Sequence, residues 1–88
     1  MKQWVLYILS CKDGSLYTGI TDDLPRRLAQ HKEGKGAKYT RGRSPLTIVY
    51  QENCLSHSDA LKRECAIKKL KRTEKLELIE TYQKTATE

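Results

Sequence analysis

The chain has no apolar run approaching the ~18 residues that a membrane-spanning helix requires, so no such span is predicted. Its first apolar stretch, within MKQWVLYILSCKDGS, is too short and too interleaved with polar residues for a secretory signal; it reads as a strand. Repeats, low-complexity segments and Pro/Gly/Ser-rich linkers are missing too, which leaves no internal boundary. Cysteine is scarce. Cys11, Cys54 and Cys65 are odd in number and irregularly spaced, which argues against both a disulfide framework and a zinc site. They read as small buried hydrophobes in a reducing cytoplasm. Acidic residues are in deficit, with 11 Asp and Glu against 17 Lys and Arg, a formal net charge of +6. That balance favours a polyanion, either nucleic acid or an anionic membrane surface. A chain of 88 residues has room for one modest core. Residues 1–82 are expected to form a single domain, with a disordered tail over 83–88.

The pattern along the chain predicts an α+β fold. WVLYILSC is apolar on both alternating faces, as suits a central strand. KDGS signals a turn, and LYTGIT gives a second strand antiparallel to the first. Asp22 or Asp23 can cap a helix with Pro25 in its first turn, running to about Lys32 and stopping near Gly34 and Gly36. EGKGAKYTRGRSP reads as a basic loop and LTIVYQEN as a third strand. Ser56 or Ser58 can cap a helix from about Asp59 to Leu70, and a last helix covers roughly Thr73 to Tyr82. The order is ββαβαα: a small three-stranded antiparallel sheet flanked by helices.

Three positions are unusual on pattern alone. Arg27 and His31 are spaced i, i+4 beside the Leu24/Leu28 stripe, at the border of the buried face. As an isolated pair they read as charged side chains snorkelling outward. On the helix after Ser58, Ala60, Leu61, Cys65 and Ile67 define an apolar arc into which Glu64 falls. Desolvating an unpaired carboxylate costs several kcal/mol, roughly, so Glu64 either pairs with Lys68 or Lys71 or lines a cleft as a ligand for a hard cation. The hairpin poses a register question. A two-residue Asp13-Gly14 turn sets Tyr7 and Tyr17 on opposite faces, whereas one additional loop residue brings them to one face. In one such register Tyr7 lies opposite Gly19, whose missing side chain leaves room for the ring.

With these residues in place, the chain resembles the GIY-YIG nuclease superfamily, and most of all its small single-domain bacterial members. The resemblance spans Trp4 to about Ile79. Val5-Leu6-Tyr7 matches the first signature strand, keeping its tyrosine but not its leading glycine, and Tyr17-Thr18-Gly19 matches the second. LPRRLAQH matches the helix with the family's arginine, at Arg27, with His31 one turn on. ALKRECAIKKL matches the helix that carries the metal-binding glutamate, which falls on Glu64. GKGAKYTRGRSP resembles a basic loop of structure-specific junction nucleases in the superfamily.

What the resemblance implies is a metal-dependent endonuclease that hydrolyses phosphodiester bonds in DNA, including branched or damaged forms. The implied cofactor is a single Mg²⁺ (or Mn²⁺) ion held by Glu64 and mostly by waters. Arg27 would grip the scissile phosphate. Tyr7 would deprotonate or orient the water with Tyr17 nearby, and His31 is the rival base. Lys35, Lys38, Arg41, Arg43 and Lys68, with the wider Lys62 to Lys75 segment, would hold nucleic acid by its backbone, and Tyr39 would stack on a base or pack beneath the loop. The expected partner is DNA ahead of RNA, the expected state a monomer, and no membrane is involved. Two other readings stay open: a nucleic-acid-binding module without turnover, and an interaction protein whose charge serves solubility.

Overall fold

The β-rich run Trp4–Ser10 forms β1, the middle strand of an antiparallel sheet in which β2 (Leu16–Thr21) and β3 (Thr47–Cys54) lie on either side. The computed structural model describes residues 3–33 and 45–87. Helix α1 (Leu24–Lys32) follows β2, and α2 (His57–Lys68) and α3 (Arg72–Thr87) follow β3, which completes the order ββαβαα. The fold is therefore α+β, as the sequence pattern predicts.

The hairpin loop is longer by one residue than Asp13-Gly14 alone. The Gly14 N–H donates to the Cys11 carbonyl at 2.9 Å, and the Cys11 N–H donates to the Ser15 carbonyl at 2.9 Å. This is a three-residue loop with Gly14 in the left-handed region (φ 84°), a conformation that a side chain would strain. Asp13 Oδ1 accepts from the Ser15 N–H at 3.0 Å and holds the turn. The register that results pairs Tyr7 with Gly19 and Leu9 with Tyr17. Tyr7 and Tyr17 therefore share a face.

Two clusters fill the two faces of the sheet. Tyr7, Leu9, Cys11 and Leu46 pack with Tyr17, Leu24, Leu28 and Ile48 beside α1. Leu6, Ile8, Tyr50 and Cys54 pack against Ala60, Ile67 and Ile79 of α2 and α3. The β1–β3 register shifts between Ile8 and Leu9, which leaves Val49 as an extra residue and lets Ile48 and Tyr50 enter opposite clusters. Leu6, Ile8 and Leu9 are fully buried, each contributing ~1.5–3 kcal/mol, so the central strand anchors both layers.

Caps fix the helices. The Arg26 N–H donates to Asp23 Oδ1 (3.3 Å) and the Asp59 N–H to Ser56 Oγ (3.1 Å), which selects Asp23 and Ser56 from the candidate pairs. Helix α2 starts at His57, earlier than the predicted Asp59, because the cap is Ser56. Helix α3 continues past Tyr82 to Thr87, so the stretch expected as a disordered tail is helical that far. No glycine or proline interrupts it, and Lys84 pairs with Glu80 at 3.3 Å across one turn.

The arc drawn for α2 needs correction. Ala60 and Ile67 are buried, but Leu61 and Cys65 are exposed. The inward stripe is Ala60, Glu64 and Ile67, spaced i, i+4, i+7. Cys65 is thus not a buried hydrophobe, while Cys11 and Cys54 are. Burial of Ala60 and Ile67 accounts for this rotation, and a polar contact agrees with it: Arg63 donates to both oxygens of Glu52 on β3, at 2.7 and 3.0 Å, and the Tyr50 hydroxyl donates to Glu52 Oε1 at 2.7 Å. With Arg63 held to β3, the next residue, Glu64, turns ~100° around the helix axis.

Candidate active site

Tyr7 projects from the middle of the sheet across Gly19, with only 1% of its surface exposed. An added Cβ at Gly19 would lie 2.7 Å from Tyr7 Oη, 2.8 Å from Tyr7 Cζ and 3.0 Å from Tyr17 Cε2. The glycine is required for space, since a side chain there would overlap both rings. Tyr7 Oη lies 2.9 Å from His31 Nε2. The Tyr17 and His31 rings meet edge to face at 5.3 Å, and the Tyr7 and Tyr17 ring centres are 6.4 Å apart. His31, placed by the sequence at the border of the helix face, is in fact the buried residue of α1, 1% exposed. The reason is that its ring closes the tyrosine cluster and has a phenol to bond.

Electrostatics bring in two more residues. Burial pushes the Tyr7 phenol up to about 12; the Arg27 side chain opposes the rise, while the charges of Tyr17 and Glu64 add to it. Tyr7 is therefore a neutral phenol near pH 7, acted on by charges of both signs from Arg27 and Glu64. Arg27 is half-buried, and its Nη1 donates to Gln30 Oε1 at 3.1 Å, which orients the guanidinium. Gln30 was not singled out in the sequence, although its i, i+3 spacing from Arg27 is the available signal. The Glu64 side chain keeps 21% exposure, and Oε2 lies 3.4 Å from Lys68 Nζ, one of the pairings the sequence leaves open. Lys35, Lys38, Tyr39, Arg41 and Arg43 lie outside the described residues.

Burial first, and Arg27 second, hold His31 below its ordinary range and keep the folded-state ring neutral. The unfolded ring titrates near ~6.5. Its contribution to stability is thus fully present above that value and is lost as pH falls toward the lower folded-state pKa, because the unfolded chain binds more protons in that window. Thermal melts at about pH 7 and about pH 5 are expected to show a larger drop for the natural chain than for His31→Gln. Equal drops would remove His31 as the cause.

Two shallow cavities flank the Tyr7–Gly19 contact along β2. One, of about 240 Å³, is lined by Leu16, Tyr17, Thr18, Lys68 and Lys75. The other, of about 180 Å³, is lined by Thr21, Asp22, Asp23, Arg26, Arg27 and Gln30. Among the described residues, the charged walls of the first are lysines, and the second mixes both signs. Lys75 is the residue that the sequence gave no individual role.

Two tyrosines over a glycine of the antiparallel sheet, with an arginine and a histidine from α1, form one cluster. The chain belongs to the GIY-YIG family, whose GIY-YIG catalytic domain matches residues 3–77. It is similar to UPF0213 protein Reut_B5558 of Cupriavidus pinatubonensis, 53% identical over 75 residues, covering 85% of this chain and 83% of that one. UPF0213 protein OB0043 of Oceanobacillus iheyensis is 52% identical over 79 residues, covering 90% of this chain and 92% of that one. Among solved structures, UPF0213 protein BH0048 of Bacillus halodurans aligns with a TM-score of 0.59 at 46% identity, over 92% of this chain and 85% of that one. Protein EF2693 of E. faecalis aligns with a TM-score of 0.66 at 40% identity, over 94% and 88%. The family is one of nucleases, and its substrate class is nucleic acid. Among the described residues, no helix is long and apolar enough to cross a membrane.

Proposed function

We propose that this chain is a metal-dependent endonuclease that hydrolyses phosphodiester bonds in DNA, with Tyr7, Tyr17, Arg27, His31 and Glu64 as its working residues. The observation that carries the reading is the convergence of a phenol, an imidazole and a guanidinium at β2, with Glu64 close enough for its charge to act on the phenol. Glu64 offers a single half-buried carboxylate, and among the described residues no three or more His, Cys, Asp or Glu cluster as a metal cage. That donor set fits Mg²⁺ or Mn²⁺, which keep several waters and need one or two carboxylates, and does not fit tetrahedral zinc. When bound there, the ion supplies Lewis-acid stabilisation of phosphate charge.

The protein groups do the rest. Arg27 presents its planar fork to the scissile phosphate and opposes the charge that develops on it. Tyr7 accepts a hydrogen bond from the attacking water. As the water's proton moves onto Tyr7 Oη, the phenol's own proton passes to His31 Nε2, 2.9 Å away. The two rival bases thus act in series, which suits a phenol whose pKa is too high for it to be the base alone. Tyr17 packs against both rings and keeps them aligned. Lys68, 3.4 Å from Glu64 Oε2, would share that carboxylate with a bound ion and would offer its charge to substrate.

Incubation with end-labelled branched, duplex and single-stranded DNA in Mg²⁺ and in Mn²⁺, with EDTA as control, tests the reading. Metal-dependent cleavage is expected, lost in Glu64→Gln. The same variant should weaken the paramagnetic broadening by Mn²⁺ of amide signals around α2, a readout that needs no turnover. Salt-sensitive binding of all three DNAs without cleavage would instead support the binding-module reading, which the high pKa of Tyr7 favours.

A further inference from the structure

Of the basic residues between Lys62 and Lys75, two line one cavity: Lys68 from α2 and Lys75 from α3, facing Leu16, Tyr17 and Thr18 of β2. We infer that this cleft is a second phosphate subsite, which holds a backbone phosphate of the strand flanking the scissile one. The inference rests on the phosphodiesterase reading above and adds to it the route by which the strand reaches the site.

Lys75 is half-buried, whereas the other lysines among the described residues are exposed. No carboxylate among the described residues pairs with it. A partly desolvated ammonium without a counter-charge is a place for an anion, since water solvates it less well than at an open surface. Lys68 reaches the cleft from beside Glu64, 3.4 Å away, so the cleft adjoins the metal-binding carboxylate.

The sheet edge supplies further donors. In the antiparallel ladder that starts at the Cys11 N–H to Ser15 carbonyl bond, Tyr17 and Gly19 turn their peptide groups toward β1. Leu16 and Thr18 therefore turn theirs to the edge of β2 that no other strand among the described residues pairs, beside the two lysines. Ammonium groups and a backbone N–H at one place match phosphate oxygens, and the Leu16 and Tyr17 walls match the apolar face of a sugar. The cavity of about 240 Å³ lies below the ~300–1,000 Å³ of sites that enclose a drug-sized ligand. It takes a sugar-phosphate unit rather than an extruded base. The cavity on the other side of Gly19 sets Asp22 and Asp23 against Arg26 and Arg27, so its charge is balanced where that of the lysine cleft is positive.

The test measures binding of a fluorescein-labelled single-stranded 12-mer in EDTA across a salt series, with cleavage followed separately in Mg²⁺. Lys75→Ala is expected to weaken binding about 3- to 10-fold and to reduce the slope of log K against log salt by about 0.7, with Lys75→Arg near the natural value. Lys68→Ala should behave alike. Lys84→Ala, which removes the same charge from the same helix away from the cleft, should stay within about twofold. In an NMR titration with the 12-mer, the Thr18 amide should shift in the natural chain and not in Lys75→Ala. Equal losses for Lys75→Ala and Lys84→Ala, natural affinity in Lys75→Ala, or no binding of the 12-mer at all would each overturn the subsite. Lys75-dependent binding without cleavage by any variant would keep the subsite and sink the hydrolase reading instead.

Discussion

Arg27→Ala is expected to lower the rate of DNA cleavage by roughly 10²–10³-fold, the range found when a donor aimed at transition-state charge is removed. The effect on stability should be small. Arg27 is half-buried and bonds Gln30 on the same helix, and Tyr7 keeps its bond to His31 when Arg27 is removed, so no buried group is left unpaired. Arg27→Lys should recover only part of the rate, because an ammonium is a point charge and cannot grip two phosphate oxygens in a plane. A second readout separates a charge effect from a packing effect. Arg27 contributes to holding His31 low, so its removal should move the acid limb of the pH–rate profile to higher pH. A cleavage rate near that of the natural chain would sink the role given to Arg27. An unshifted acid limb would separate it from His31.

The second large effect is expected at Gly19. A methyl group there would stand 2.7 Å from Tyr7 Oη and 2.8 Å from Tyr7 Cζ, and neither ring can swing far in a packed cluster closed by His31. Overpacking of this kind costs about 1–3 kcal/mol, and a loss of 1 kcal/mol lowers Tm by about 4–8 °C in a domain of 60–100 residues. Gly19→Ala should therefore melt at clearly lower temperature and shift the Tyr7 and Tyr17 ring resonances. It should also lose cleavage, since the Tyr7–His31 contact would open. The double variant Gly19→Ala/Tyr7→Phe removes the hydroxyl overlap and leaves the Cζ one, so it should recover part of the stability. Coupling of about 0.5 kcal/mol or more in the double-mutant cycle is expected for residues in such contact. Simple additivity, or an unchanged melt, would mean that the ring and the glycine do not depend on each other.

The two sites differ in how much of them the sequence disclosed. Tyr7 opposite Gly19 was one of the registers the hairpin allowed, and the choice fell to Gly14, whose positive φ adds a residue to the loop. A turn written as Lys-Asp-Gly is compatible with more than one loop length, so pattern alone leaves the face of Tyr17 open. The rotation of α2 was harder to read. Leu61 and Cys65 widened the apparent apolar arc, yet both are exposed, and the inward stripe contains Ala60, Glu64 and Ile67. The rotation buries Ala60 and Ile67 against the sheet and sets Arg63 on Glu52 of β3, contacts between distant parts of the chain that helical periodicity does not encode. His31 is similar: its i, i+4 relation to Arg27 was visible, but its burial depends on a phenol brought from β1. Lys75 drew no attention because one lysine among many has no local mark. Its distinction is the cleft that β2 and Lys68 complete around it.

The open side of β2 has one more consequence. A strand at the rim of a sheet offers its free peptide groups to any other strand that comes alongside, and unguarded rims are where chains stick to one another. Lys68 and Lys75 stand beside this rim. Two copies of the chain approaching edge to edge would set like charges against each other, while a polyanion would be drawn in. The same pair of lysines thus sorts what may lie along β2, turning away another protein strand and admitting a nucleic-acid one.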